Sequence, residues 1–171
     1  MMNINLDDLD REQVIVILKK IVEEQPSLAH LIQKILNQLG FQLHHITIAQ
    51  EIFITLDLID VEDLWHNSGP TRYGYVDPGE LAFEMVEDAI APYLEKFKQY
   101  LSNSKWNEAK IICMGILKGL HDFENKSNSQ FKDWAPDVTD TLQSDVLNEW
   151  ENSCNDQLLL NEVNEFFETL E

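Results

Sequence analysis

Apolar residues return every three to four positions along most of this chain, and that spacing commits it to helices. Val14, Ile17, Leu18, Ile21 and Val22 fall at i, i+3, i+4, i+7 and i+8, which predicts a helix over 10–24 with Asp10 as its N-cap. Leu28, Leu31, Ile32, Ile35, Leu36 and Leu39 repeat the pattern, opened by Pro26-Ser27 and stopped by Gly40. Further on, Ala109, Ile112, Cys113, Ile116, Leu117, Leu120 and Phe123 predict a helix over 105–124. Two more are expected near 137–151 and 156–170, from Val138, Leu142, Val146 and Trp150 and from Leu159, Val163, Phe166, Phe167 and Leu170.

Two stretches need arbitration. Over 46–60 the residues Ile52, Ile54, Leu56 and Leu58 alternate as in a strand, whereas Ile48, Ile52, Leu56 and Ile59 fit a helix. A helix is expected, because a lone strand with no partner leaves its backbone groups unsatisfied. From Pro78 to Leu101 the helical period runs on with Pro92 in its middle. A proline there removes one backbone hydrogen bond and crowds the Asp88 carbonyl, so a kink or a restart is expected.

The expected fold is therefore all-α: one domain over 1–171 of about seven helices stacked as antiparallel hairpins, either an array of the TPR or HEAT kind or an irregular bundle. Within it, 1–60 holds the N-terminal helices, 61–80 a loop, 81–124 a central helix pair and 137–171 acidic C-terminal helices. The chain has only 6 Gly and 5 Pro among 171 residues. Gly69, Pro70, Gly74, Pro78 and Gly79 all fall within Ser68–Glu80, so turn chemistry is concentrated in one place.

Composition narrows function by exclusion. Acids number 31 against 12 Lys and Arg, a formal charge of −19. Eleven of those acids and none of the basic residues follow Lys132, so the last 39 residues carry −11 and the first 132 carry −8. Such a surface repels phosphate backbones and anionic bilayers, which argues against direct nucleic-acid or membrane binding and suits a basic protein partner. No apolar run is long enough to span a membrane, and the acidic start Met1-Met2-Asn3-Ile4-Asn5-Leu6-Asp7-Asp8 has no secretory character. Cys113 and Cys154 are far apart and form neither a disulfide framework nor a zinc knuckle, which fits a reducing, cytoplasmic setting.

The candidate binding residues are Trp65, Arg72, Tyr73, Tyr75 and Trp134. The glycines and prolines of 65–80 can hold an arginine and two tyrosines in fixed positions, and those side-chain types anchor interfaces because each joins a large contact area to directional hydrogen bonding. Trp134, with Phe131, is a large apolar residue in the polar connector 125–136. It either folds back over the preceding hairpin or offers an anchor to a partner. Apolar faces on the terminal helices leave a homodimer open.

No cofactor or catalytic set is implied. Glu62, Asp63 and His66 lie one helical turn apart, and a carboxylate at that spacing from a histidine is half of a di-iron motif whose second half is missing. A metal-dependent or small-molecule enzyme built on them is the alternative to a non-enzymatic interaction or scaffold module. An acidic nucleic-acid mimic is another. His44-His45 are sequence neighbours that point to different sides, and Cys113 lies on an apolar helix face where a thiol is inert packing.

Val61-Glu-Asp-Leu-Trp65, followed by Ser68-Gly-x-Thr-Arg-x-Gly-Tyr-Val76 with Pro78 and Glu80, resembles a segment of uncharacterised bacterial and archaeal all-helical proteins, some of whose relatives are attached to SWIM-type zinc-finger proteins. The similarity continues through Cys113-Met-Gly-Ile-Leu-Lys-Gly-Leu120 and Phe131-x-x-Trp134, covering roughly 61–136. It implies a helical, protein-binding module. The zinc finger's own cysteines and histidines are absent here, so the resemblance implies no metal or DNA role.

Overall fold

A computed structural model describes residues 44–72 and 74–170, together with Val14, Val16, Ile17, Lys20, Ile21, Glu24, Gln25, Leu28 and Leu31. By its internal contacts the chain divides into two compact units, Met1–Gln42 and Leu43–Glu171. In the first, every position just named except Gln25 is helical, and the Gln25 N–H donates to the Ile21 carbonyl at 2.9 Å. The remainder of the two helices expected over 10–40 lies outside the described residues.

The second unit is all-α apart from one small hairpin. Its elements run α1 (His45–Asp57), α2 (Val61–Asn67), β1 (Gly69–Thr71), β2 (Gly74–Val76), α3 (Pro78–Ser102), α4 (Trp106–Lys126), a 3₁₀ turn (Gln130–Trp134), α5 (Val138–Ser153) and α6 (Gln157–Glu168). The ambiguous stretch is a helix, and its geometry says why. Ile48, Ile52 and Leu56, four apart, are buried on one face, while Ile54 and Leu58 of the alternating set stand in solvent. None of the described helices is long and apolar enough to cross a membrane.

Consecutive hairpins do not organise this unit; one helix does. α4 packs against α1, α3, α5 and α6, and its most extensive neighbour is α1, well before it in sequence. Burial on α4 extends beyond a single stripe, to Ala109, Ile112, Cys113, Gly115, Ile116, Leu117, Gly119, Leu120 and Phe123, as expected of a helix enclosed by others. Two of those residues are glycines, and α1 lies in the space they leave. A Cβ on Gly115 would stand 2.6 Å from Ile48 Cγ2, and one on Gly119 would stand 2.8 Å from Ile52 Cβ.

Local chemistry sets the element ends. α3 starts at the Asp77 cap, whose Oδ1 accepts from the Gly79 and Glu80 N–H groups at 2.9 and 3.1 Å. It runs unbroken through Pro92, so the expected restart does not occur. Asp88, whose carbonyl Pro92 leaves without its helical donor, and Pro92 itself are both exposed, where water can take the place of that donor. α3 ends with Ser104 at φ 54°, its N–H donating to the Leu101 carbonyl (3.0 Å) and that of Lys105 to the Tyr100 carbonyl (2.9 Å). This is the left-handed helix stop usually given to glycine.

Hydrogen bonds fold the polar connector back onto the bundle. Ser127 Oγ donates to Asp57 Oδ1 at 2.5 Å and accepts from the Ser129 N–H at 3.0 Å. Lys132 Nζ donates to the carbonyl of Glu124 in the last turn of α4, where the helix dipole favours a cation. Phe131 is fully buried beneath the turn.

Candidate functional site

Where turn formers predict a loop over 61–80, the chain builds α2 and a two-stranded hairpin. Asp60 caps α2, accepting from the Glu62 N–H at 2.9 Å, and Leu64 on its inner face is fully buried. The strands pair antiparallel in the register Gly69↔Val76, Pro70↔Tyr75 and Thr71↔Gly74, which places Arg72 in the turn between them. Gly69 and Gly74 take φ of 88° and 142°, conformations that residues with a Cβ rarely adopt. Three-residue strands are too short to register as alternation, so the hairpin was not legible in the sequence.

Trp65 and Trp134 come together. Their ring centroids lie 6.4 Å apart at an interplanar angle of 76°, an edge-to-face contact, and the two residues remain 53% and 37% exposed. Of the connector's two aromatic residues, Phe131 folds inward as cover and Trp134 stays partly exposed. Each tryptophan is placed by an apolar neighbour in sequence, Leu64 for Trp65 and Phe131 for Trp134. Burying each anchor stabilises by about 1.5–3 kcal/mol, more than the roughly 0.5–1.5 kcal/mol of an aromatic pair, so the anchors set the positions and the pair follows.

The hairpin connects α2 to α3. An ideal Cβ on Gly79, two residues beyond Asp77, would lie 3.5 Å from the Trp134 carbonyl oxygen, so the 3₁₀ turn rests against the start of α3. Arg72 directly follows the three-residue strand β1. Arg72 is exposed and forms no ion pair with any described residue, and Tyr75 is 68% exposed. Tyr73 lies outside the described residues.

The Glu62/Asp63/His66 set is arranged differently from a metal site. His66 Nδ1 lies 2.8 Å from the Glu62 carbonyl oxygen and so carries the proton, and Asn67 Nδ2 donates to the Asp63 carbonyl at 2.8 Å. Both side chains close the C-terminal end of α2 through backbone groups. Among the described residues no three of His, Cys, Asp and Glu are grouped to hold a metal ion. The His45 ring packs edge-on against Phe166 at 5.2 Å. Burial, with His44 and Lys118 nearby, pulls its pKa below the ordinary value. Burial pushes the Cys113 thiol up, so it stays protonated and unreactive.

A cleft of about 370 Å³ was missed from sequence. It is lined by His121 of α4, Asp140, Gln143 and Ser144 of α5, and Phe167 and Leu170. One signal was available: Gln143 is a polar residue among the buried positions Thr139, Leu142 and Val146 of one helix. No hydrogen bond joins His121 to Asp140 or Ser144, so the three do not form a nucleophilic triad; the ring faces the Asn125 amide at 3.3 and 3.4 Å.

The chain matches no protein-family model, no curated protein and no solved structure.

Proposed function

We propose that the protein is a non-enzymatic interaction module that docks another protein on the surface formed by Trp65, Trp134 and the 69–76 hairpin. The observation that carries this reading is the tryptophan pair: two large rings in mutual contact, more than a third exposed, each on an element anchored by its own buried neighbour. Exposing that much aromatic surface has no stability rationale, whereas partly rigid tryptophans are the residues on which interface energy concentrates. Arg72 adds a planar donor in the turn of the hairpin, and the exposed Tyr75 follows on β2. The net charge of −19 favours a basic partner. Two free, buried cysteines favour a cytoplasmic setting. The resemblance of 61–136 to protein-binding helical modules points the same way, and the segment that carries it contains this surface.

Affinity capture of the full chain from its native lysate, at low and moderate salt, tests the reading when run beside Trp65→Ala and Arg72→Glu. A discrete partner that is retained by the wild type and lost from both variants is expected, since truncating a central tryptophan typically weakens binding about thirtyfold or more. A partner captured equally by all three proteins removes this surface from the interaction.

A further inference from the structure

The cleft between α4, α5 and α6 carries a second, independent inference. Gln143 is only 8% exposed, and its amide is divided in function: Nε2 donates to the Leu117 carbonyl at 2.9 Å, while Oε1 accepts from no described residue. The amide oxygen reaches the solvent of the cleft, so it is free to accept from a bound donor. Asp140 and Ser144, i and i+4 on one face of α5, are both exposed and neither side chain has a partner among the described residues. What the cleft offers is a carboxylate, an amide oxygen and a hydroxyl, with Phe167 and Leu170 as an apolar wall.

That set is rich in acceptors and poor in donors. The amide's donor end is already used, and the His121 ring lies against the Asn125 amide at 3.3 and 3.4 Å. The complementary ligand brings its own donors and a positive charge. Anions are repelled by Asp140 and by the acidic surface, whereas cations are drawn toward it. We propose that this cleft binds a small aliphatic amine, its ammonium group between Asp140 and Gln143 Oε1 and its carbon chain along Phe167 and Leu170. An ammonium has three N–H donors for the three acceptors, and about 370 Å³ lies at the small end of ligand-site volumes.

Calorimetric titration of the full chain with 1,4-diaminobutane tests this, with 1,4-butanediol and succinate as neutral and anionic counterparts of the same length. Saturable one-to-one binding of the diamine alone is expected. It should weaken about tenfold or more in Asp140→Asn, the loss of one charge-assisted hydrogen bond. Asp88→Asn, which removes an equal charge from exposed α3, should bind as the wild type does. Matched circular dichroism spectra establish that both variants are folded. Absence of saturation at millimolar diamine overturns the assignment, as does equal binding of the diol. Equal weakening by Asp88→Asn also overturns it, by reducing the effect to counterions gathering on an acidic surface.

Discussion

Ile48 fills the space into which any side chain at Gly115 would project, with its Cγ2 only 2.6 Å from where that Cβ would stand and the His45 carbonyl oxygen 3.2 Å away. Gly119 meets Ile52 and the Ala49 carbonyl in the same way one turn later. The closest approach of α1 to the central helix therefore depends on two missing methyl groups. Gly115→Ala raises intrinsic helix propensity, which alone would stabilise by up to about 1 kcal/mol. Overpacking against a β-branched side chain and a backbone carbonyl costs about 1–3 kcal/mol and should win. Urea denaturation should place the Gly115→Ala and Gly119→Ala midpoints below wild type, and Ile48→Ala should partly restore Gly115→Ala. A Gly115→Ala midpoint at or above wild type would show that the two helices separate freely.

Ser104 invites the opposite substitution. It holds φ 54° at the end of α3, where its Cβ crowds the backbone, and its side chain forms no hydrogen bond with any described residue that would justify the strain. Ser104→Gly should raise stability by up to about 1 kcal/mol, read as a higher urea midpoint with an unchanged m-value. A lower midpoint would mean that the entropy glycine adds to the unfolded chain outweighs the relieved strain.

How much of this was legible in the sequence depended on whether the determining residues were neighbours along the chain. The apolar periods over Pro78–Leu101, Ala109–Phe123 and Leu159–Leu170 placed α3, α4 and α6 to within a few residues, because those signals are local. The choice of helix for α1 followed from the lack of a strand partner. What failed to show was long-range or very short. Trp65 meets Trp134 only because Leu64 and Phe131 are buried in one core, and neither spacing nor composition encodes that meeting. Gly115 and Gly119 read as helix-weakening residues until α1 is seen against them. The acceptors of the small cleft lie on helices joined only by tertiary packing.

Acid sensitivity should begin with His45. Its pKa is lowered by burial first, and then by His44 and Lys118, so the unfolded chain takes up a proton near the ordinary value of 6.5 before the folded one does. The stability tied to a neutral His45 is present above that value and is lost as pH falls below it. Asp122 acts in a separate window. Burial alone would raise its pKa, but hydrogen bonds from Lys126 (2.8 Å) and Lys118 (3.1 Å) outweigh burial and hold the carboxyl below its ordinary 3.8. Its contribution is lost only as pH falls through that lower range. Urea midpoints compared between pH 7.5 and pH 5.5 should fall for the wild type and fall less for His45→Gln. Parallel decreases in the two proteins would assign the sensitivity to other groups.

The exposed tryptophan pair makes a last prediction that separates binding from folding. If Leu64 and Phe131 place the two rings, removing either ring leaves the fold in place. A double-mutant cycle over Trp65→Ala and Trp134→Ala should give a coupling of about 0.5–1 kcal/mol, at the low end for aromatic pairs because both rings remain partly in water. Leu64→Ala, by contrast, empties a fully buried site and should cost about 2–5 kcal/mol. Tryptophan fluorescence in the same samples reports whether Trp134 becomes more exposed when Trp65 is truncated. A cycle energy near that of Leu64→Ala would mean that the pair is part of the core, and its exposure would then lose its meaning as a docking surface.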